Sequence, residues 1–220
     1  MKTFGRQVFM FSFLLFLVVN VYCATPEQWK SRTIYQLVTD RFAKNDGNQD
    51  ECPDLGNYCG GGFVGIKNNL DYIQGMGFDA IWISPIVDNY DGGYHGYWSR
   101  NLYKINSHFG TEEDFISLVE ACHERDIWVM VDVVANHMGN TNEDYSQNVP
   151  FNSKFHYHDY CDITGKDFDT KNSAVVENCR LVQLADLKQE NDEVRTKLLD
   201  WIRDLVNKYH IDGLRIDTVP

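Results

Sequence analysis

Apolar residues are concentrated in four short segments of an otherwise polar chain. These segments are rich in β-branched and aromatic residues, and they cover residues 34–39, 80–83, 128–134 and 213–216. A strand that is covered on both faces of a sheet has such a continuous apolar run, whereas a half-exposed strand alternates polar and apolar positions. The pattern therefore predicts four buried strands.

Helical periodicity fills the intervals between these strands. Apolar side chains recur every three or four residues in three sets, which are Ile66, Leu70 and Ile73; Phe115, Leu118, Val119 and Cys122; and Val194, Leu198, Ile202, Leu205, Val206 and Tyr209. This spacing places each set on one face of a helix. Thr111 is the expected N-cap of the second helix, because acidic residues follow it directly. Strands that alternate with helices predict a parallel sheet of right-handed βαβ units.

The spacing of the strands predicts an insertion. The first three begin at residues 34, 80 and 128, but the fourth begins only at residue 213. Residues 138–187 are polar and show little periodicity, so we expect a small irregular subdomain after the third strand. A doubly wound sheet and a (β/α)8 barrel both accommodate four βα units. The long segments that follow the strands favour the α/β class of the (β/α)8 TIM barrel, of which this chain supplies the first half.

The first 23 residues have the pattern of a secretory signal peptide. Lys2 and Arg6 precede the nearly apolar run 8–21, which is too short to span a bilayer. Val21 and Cys23 are small enough to precede a cleavage site at Ala24, and an uncleaved anchor is the alternative. We therefore expect a secreted, extracellular protein that contacts no membrane after the signal is removed. Disulfides are stable in that environment.

Five cysteines remain after this cleavage. Cys122 lies on the apolar face of the second helix, which indicates a buried free thiol. The other four allow three pairings. The nearest-neighbour pairing, Cys52–Cys59 and Cys161–Cys179, closes two short loops rich in Gly, Asn and Asp. A zinc site is the alternative, but the spacings do not match those of zinc ligands.

Composition excludes two classes of protein. The 32 acidic residues exceed the 20 Lys and Arg, which gives a net charge of -12. Such a chain cannot release counterions from a phosphate backbone, so we expect no nucleic-acid partner. A hydrophobic content of 43% and a charged content of 24% also exclude wholesale disorder.

Polar side chains follow the predicted strands at the edge where a parallel sheet binds substrates. Arg215 and Asp217 stand two residues apart on the fourth strand, so their side chains share a face. A guanidinium beside a carboxylate favours the ionised form of the acid, which suits a nucleophile or an electrostatic partner for an oxocarbenium-like transition state. A structural ion pair is the alternative.

Two further groups of residues are candidates at this edge. The first is an aromatic cluster in the loop after the second strand, made of His95, Tyr97 and Trp98. Such rings stack on sugars, and a loop buried against the scaffold is the alternative. The second is a set of oxygen donors, made of Asn136, Glu177 and Asp186. Oxygen donors fit calcium better than zinc or copper, and solvated acids are the alternative.

Four longer motifs occur in order along the chain. They are GMGFDAIWISP at 75–85, GGYHGYW at 92–98, DVVANH at 132–137 and GLRIDTV at 213–219. All four resemble the N-terminal portion of the secreted fungal-type α-amylases in glycoside hydrolase family 13, and the resemblance extends over residues 24–219. It implies a (β/α)8 barrel with a subdomain inserted after the third strand, which the strand spacing predicts independently.

The resemblance also implies a reaction and its site. The family cleaves internal α-1,4 bonds in starch with retention of configuration. Asp217 would be the nucleophile that forms the covalent glycosyl-enzyme, and Arg215 would hold it ionised and oriented. The sugar at the cleaved bond would contact His95, Tyr97, Trp98 and His137. A structural Ca²⁺ would join the insert to the barrel through Asn136, Glu177 (by its backbone carbonyl) and Asp186.

This sequence departs from the family's pattern at several points. The segment from Cys179 to Asp186 is shorter than in the family, with Ala185 in place of a Pro, and Pro220 occupies the position of a substrate-contacting Lys. The general acid Glu after the fifth strand and the stabilising Asp after the seventh have no counterpart. We therefore expect a truncated form without measurable starch hydrolysis, because loss of acid catalysis alone costs about 10²–10⁴ in rate.

The expected layout has four parts: a signal peptide (1–23), the first three barrel units (24–137), a calcium-associated insert (138–187), and a third helix with a fourth strand (188–220). The expected partners are starch and maltooligosaccharides, bound by a monomer. Two rival functions stay open: a non-catalytic secreted glucan- or calcium-binding protein, and a family 13 glucanotransferase or α-glucosidase. The GYHGYW stretch and the insert favour the amylase.

Overall fold

The structure is a computed structural model that describes residues 24–219. The predicted signal peptide, residues 1–23, lies outside this range. Within the described range, no helix combines the length and the apolar character that crossing a bilayer requires.

Four parallel strands form the central sheet, in the order β1-β2-β5-β8. The strands of the described residues are β1 (Ile34–Leu37), β2 (Ala80–Ile83), β3 (Val87–Asn89), β4 (Ser99–Ile105), β5 (Trp128–Val134), β6 (His137–Met138), β7 (Ala185–Asp186) and β8 (Gly213–Asp217). Strands β3 and β4 form an antiparallel hairpin after β2, and β6 pairs with β7. In the central sheet, each strand lies beside the one that precedes it along the chain, as in the wall of a (β/α)8 barrel.

Helices lie before the first of these strands and in the segments between them. They are α1 (Pro26–Trp29), α2 (Thr39–Phe42), α3 (Phe63–Asn68), α4 (Leu70–Gly75), α5 (Glu112–His123), α6 (Gly165–Asp169), α7 (Ser173–Val176) and α8 (Asp192–Tyr209). The predicted cap of α5 is confirmed, because the Thr111 hydroxyl accepts the Asp114 N–H at 3.1 Å and the Asp114 carboxylate accepts the Thr111 N–H at 2.8 Å. Two 3₁₀ turns, Lys154–His156 and Leu181–Gln183, lie in the insert.

The main core lies between the sheet and the helices α3, α4, α5 and α8. Its members are mostly fully buried apolar residues, among them Ile66, Leu70, Ile73, Ile81, Ile83, Phe115, Leu118, Val129, Val131 and Val194. Burial of one such side chain stabilises the fold by about 1.5–3 kcal/mol, so the apolar runs and faces of the sequence mark the core directly.

Three local differences separate the structure from the predicted elements. The first strand ends at Leu37, because Thr39 begins α2 and donates its N–H to the hydroxyl of Ser84 at 3.0 Å. The first helical pattern is divided at Asn69, whose side-chain amide donates to a backbone carbonyl four residues earlier and so competes with the helical hydrogen bonds. Helix α8 also buries Trp201, which the predicted face did not include.

The cysteines adopt the nearest-neighbour pairing. Disulfides join Cys52 to Cys59 and Cys161 to Cys179, and Cys122 is a buried free thiol. The first disulfide closes a loop that follows α2, and the second closes a loop within the insert. The boundaries expected for the insert, 138–187, stay a prediction.

Candidate active site

The carboxyl ends of β2, β5 and β8 place their polar residues at one edge of the sheet. In the register of β5 and β8, Asp132 lies opposite Arg215, and Val134 lies opposite Asp217. Side chains two residues apart on a strand share a face, so Asp132, Arg215 and Asp217 point to the same side of the sheet. Strand β8 extends one residue further than predicted and includes Asp217.

The guanidinium of Arg215 lies between two carboxylates. Its Nη1 atom donates to Oδ1 of Asp217 at 2.5 Å and to both oxygens of Asp132 at 3.1 and 3.0 Å. The hydroxyl of Thr218 donates to the second oxygen of Asp217 at 2.7 Å. Asp217 is therefore oriented by a cation on one oxygen and by a hydroxyl on the other.

Asp132 is the buried centre of this hydrogen-bond network. Besides Arg215, it accepts the Tyr97 hydroxyl at 2.9 Å and Nε1 of Trp82 at 3.1 Å, and only 1% of its surface is exposed. Burial raises the pKa of Asp132, while the hydrogen bonds and the charge of Arg215 oppose this rise. The sequence placed Asp132 at this edge, as the first residue of the DVVANH motif, but assigned it no role in the site, although an acid inside an apolar strand indicates a polar partner.

The aromatic cluster, made of His95, Tyr97 and Trp98, stands beside this network. The His95 ring lies 4.8 Å from Trp98 in an edge-on arrangement and 5.7 Å from Tyr97 in a nearly parallel one. Gly96, between them, has a φ of +90°, and a Cβ atom there would approach the Pro85 carbonyl oxygen to 2.6 Å. Only glycine fits this turn, which brings His95 and Tyr97 to the same side.

His95 has a defined tautomer in this arrangement. Its Nδ1 atom accepts the backbone N–H of Tyr97 at 3.0 Å, so the proton of the neutral ring is on Nε2. Burial lowers the pKa of His95, and the charge of Arg41 lowers it further. The neutral ring therefore presents an N–H donor, beside a Trp98 side chain that is partly exposed.

His137 lies behind the aromatic cluster. It is buried, and its Nε2–H donates to the Tyr97 carbonyl at 3.2 Å. Burial lowers its pKa, which the Tyr97 hydrogen bond and the nearby charge of Asp217 oppose. The His137 ring thus holds the backbone of Tyr97 in place.

The three predicted calcium ligands come from the barrel and from the insert. Asn136 follows β5, Asp186 ends β7, and Glu177 caps the carboxyl end of α7. The Asn136 amide lies 3.2 Å from Oδ1 of Asp186, and Asn136 and Glu177 line one cavity of about 540 Å³. Val182 and Gln183 adopt left-handed backbone angles, and through this turn the shortened segment still brings Asp186 beside Asn136.

These donors fit a hard cation in their chemistry. An amide oxygen, a carboxylate and a carbonyl are ligands that Ca²⁺ prefers. Burial raises the pKa of Asp186 to about 6, and His158, whose Nδ1 lies 2.6 Å from Oδ2, opposes this rise. Nothing in the sequence pointed to His158. Within residues 24–219, no three His, Cys, Asp or Glu side chains form a metal-binding group, so the set depends on amide and carbonyl oxygens.

Comparison with known proteins gives consistent matches. Residues 36–220 match the family model described as "Alpha amylase, catalytic domain". The chain is 46% identical over 202 residues to Alpha-amylase 2 of Schwanniomyces occidentalis, which covers 86% of this chain and 40% of that relative. It is 45% identical over 204 residues to the Alpha-amylase of Saccharomycopsis fibuligera, with 87% and 41% covered.

Solved structures show the same similarity in the fold. An α-amylase from Malbranchea cinnamomea superposes with a TM-score of 0.81 at 49% identity, over 89% of this chain and 44% of that one. An Anoxybacillus α-amylase gives a TM-score of 0.77 at 42% identity, over 87% and 41%. This chain spans about two-fifths of the length of the curated relatives named above.

Proposed function

The chain belongs to the α-amylase catalytic-domain family, and on that premise we propose that it forms the nucleophile side of a starch-hydrolysing site. The proposed reaction is the endo-acting cleavage of internal α-1,4-glucosidic bonds, with retention of configuration. The observation that carries this proposal is the orientation of Asp217 by Arg215 and Thr218, at the same edge as the aromatic cluster.

Asp217 acts as the nucleophile in this proposal. One of its carboxylate oxygens bonds to the anomeric carbon as the bond from that carbon to the leaving oxygen breaks, and water later hydrolyses the glycosyl-enzyme. Each oxygen of a carboxylate has two lone pairs, so the hydrogen bonds from Arg215 and Thr218 leave an acceptor position free for attack. The positive charge of Arg215 lies directly against this carboxylate and holds its orientation.

The aromatic cluster supplies the sugar-binding surface. The apolar C–H face of a glucose ring stacks on aromatic rings such as Trp98, and the Nε2–H of His95 donates to a hydroxyl. His137 fixes the Tyr97 carbonyl from behind, and Asp132 fixes the Tyr97 hydroxyl. The rings are thereby oriented before a substrate arrives, which reduces the entropy that binding costs.

In a retaining glycosidase, a second carboxyl group lies about 5–5.5 Å from the nucleophile and protonates the leaving oxygen. Asp132 shares Arg215 with Asp217, but it is buried beneath Tyr97 and Trp82 and accepts hydrogen bonds from both. It cannot reach a leaving group. We therefore expect the 220 residues on their own to bind glucan and not to hydrolyse starch.

Calcium is the proposed structural ion. Asn136, Asp186 and the backbone carbonyl of Glu177 would hold it, and when bound it supplies a positive charge between insert and barrel and takes no part in bond cleavage. The buried carboxylate of Asp186 beside the Asn136 amide supports this assignment. We further propose a secreted monomer that binds maltooligosaccharides, and the two disulfides support an oxidising location.

An activated sugar tests the nucleophile without a proton donor. Fluoride leaves without protonation, so 5-fluoro-α-D-glucosyl fluoride should glycosylate Asp217 in the purified chain, and mass spectrometry should find the adduct on the peptide that contains residue 217. Asp217→Asn should abolish the adduct, and the surface variant Asp200→Asn should retain it. Equal labelling of Asp217→Asn, or no labelling of the unaltered chain, would contradict the proposal.

A dye-release assay on starch tests the expectation of inactivity separately. The purified 220-residue chain should release no dye above background. Turnover that disappears in Asp217→Asn would show that these residues contain a proton donor after all.

A further inference from the structure

An arginine outside the motifs connects a disulfide loop to the candidate active site. Arg41 follows β1, at the same edge of the sheet as Asp217, and its side chain is 24% exposed. Its Nη2 atom donates to the backbone carbonyls of Leu55 at 3.0 Å and Asn57 at 2.7 Å. Both carbonyls belong to the loop that the Cys52–Cys59 disulfide closes. The loop therefore holds the Nη2 end of the guanidinium.

Asp40 contacts the same guanidinium on its Nε side. Its buried carboxylate accepts the backbone N–H of Cys59 at 2.8 Å and that of Gly60 at 3.3 Å, which attaches the end of the disulfide loop to α2. The Arg41 Nε atom lies 2.8 Å from Oδ2 of Asp40, as an ion pair without hydrogen-bond alignment. The guanidinium thus has one orientation, determined by an acid and two carbonyls.

The flat face of this guanidinium covers an aromatic ring. The Cζ atom of Arg41 lies 3.7 Å from the ring centroid of Tyr94, and the Tyr94 ring meets the His95 ring edge-on at 5.1 Å. A cation over an aromatic face contributes about 0.5–2 kcal/mol, depending on its desolvation. The contacts therefore run without interruption from the disulfide loop through Arg41 and Tyr94 to His95.

We propose that Arg41, held by the Cys52–Cys59 loop, is a positioning residue that fixes Tyr94 and thereby the His95 ring of the sugar-binding cluster. This inference rests on the proposed function, because it assigns a role within the same site. Arg41 touches no reacting atom. Its charge also favours the neutral His95 ring, which accepts on Nδ1 and offers a donor on Nε2.

The first test uses ¹⁵N NMR of the histidine rings in the 220-residue chain, with the His95→Gln variant identifying the His95 signals. Arg41→Gln removes both the positive charge and the planar guanidinium with its N–H donors. Arg41→Lys retains the charge but loses the planar group that stacks on Tyr94. Both variants should shift the His95 ring signals, and Arg41→Gln should also raise the His95 pKa. Arg203→Lys, an exposed arginine on α8, should leave them unchanged.

Binding of maltoheptaose, followed by tryptophan fluorescence, provides the functional measurement. Both Arg41 variants should weaken binding by about 3- to 10-fold, because Tyr94, which supports the His95 ring, loses one stacking contact. The double variant Cys52→Ser/Cys59→Ser should reproduce the His95 NMR shift of the Arg41 variants. The matched double variant Cys161→Ser/Cys179→Ser, in the insert, should not.

The outcomes separate this inference from the function on which it rests. Unchanged His95 signals in both Arg41 variants would overturn the positioning role, whatever the sugar affinity. A normal Arg41 effect on His95 together with no maltoheptaose binding by the unaltered chain would overturn the proposed function alone. If Arg41→Gln does not fold, Arg41→Lys decides the question, since it preserves the charge beside Asp40.

Discussion

Single side chains in this protein connect parts of the site that are distant in sequence. Asp132 accepts from Trp82, Tyr97 and Arg215, which lie on or after three different strands. The same Nη1 atom of Arg215 also holds Asp217. One buried carboxylate therefore orients a sugar-binding ring and, through the guanidinium, the nucleophile. Its removal should affect both stability and binding.

Asp132→Asn should destabilise the fold by about 1–3 kcal/mol, because a buried donor loses its acceptor while Arg215 retains Asp217. Urea unfolding measures this change, and maltoheptaose binding should weaken in the same variant. Asp200→Asn is the control, since Asp200 forms a surface pair with Arg203 and should change stability by less than about 0.5 kcal/mol. Equal effects of the two substitutions would show that the Asp132 network has no special role.

At the level of elements, a second acid joins the amino-terminal ends of the strands. The Asp212 carboxylate, just before β8, accepts the Val129 N–H at 2.8 Å and lies 2.9 Å from Nε2 of His123, at the end of α5. The Asp212 carbonyl accepts Nε1 of Trp29 in α1 at 3.2 Å. This position thus ties two strands and two helices together, at the edge opposite the candidate site.

The ion pair of His123 and Asp212 should make stability depend on pH. The hydrogen bond to Asp212 raises the pKa of His123. A group whose folded pKa is raised stabilises the fold fully below its unfolded value, about 6.5, and this contribution is lost as pH rises through the folded value. His123→Gln should therefore destabilise the chain more at pH 5.5 than at pH 9, by less than about 1 kcal/mol, because the pair is partly exposed.

Thermal unfolding across this pH range measures the effect. His210→Asn is the control, because His210 is exposed and Asn tolerates its left-handed backbone, with a φ of 54°. A loss of stability in His123→Gln that is the same at both pH values would rule out the ion pair as its source.

At the scale of the whole molecule, the insert is attached to the barrel along a short seam. The register of β6 and β7 pairs His137 with Asp186 and Met138 with Ala185. The backbone N–H of Leu187 adds a hydrogen bond to the Asn136 carbonyl at 2.8 Å. The seam therefore contains both the histidine that holds Tyr97 and two of the proposed calcium ligands. Metal binding there should stabilise the entire described fold.

Calcium at one hundred times its Kd should raise the Tm by about 5–10 °C, because binding to the folded state alone contributes about 2.7 kcal/mol. Chelation with EDTA should reverse the rise, and Asp186→Asn should abolish it. Asp159→Asn removes an exposed acid of the same insert and should leave the calcium response intact. An unchanged Tm with calcium, or a full response in Asp186→Asn, would exclude the proposed site.

The sheet itself leaves two strands with one neighbour each among residues 24–219. Strand β1 pairs only with β2, and β8 pairs only with β5. Ile34 on β1 is 38% exposed, and Ile216 on β8 is 51% exposed. A closed barrel would cover such side chains, so the described residues form part of the wall of a (β/α)8 barrel, in agreement with the family.

The sequence by itself determined the elements that burial defines. Continuous apolar runs predicted β2 and β5 with their observed bounds, and β1 and β8 to within two residues, because strands of a covered sheet favour apolar side chains. The prediction that all four strands are buried is wrong for β1 and β8, which have one neighbouring strand each and are partly exposed. The N-cap of α5 follows from neighbouring residues alone. The motifs also identified Asp217, Arg215 and the aromatic cluster as candidates, since their residue types indicate the chemistry.

Only the tertiary structure decided which of these residues meet. The register of β5 and β8 sets Asp132 against Arg215, 83 residues apart, and a loop closure sets Arg41 against Tyr94. His158 reaches Asp186 through the folding of the insert. Local patterns report how deeply each residue is buried, whereas these contacts depend on the packing of distant segments, which no local pattern contains.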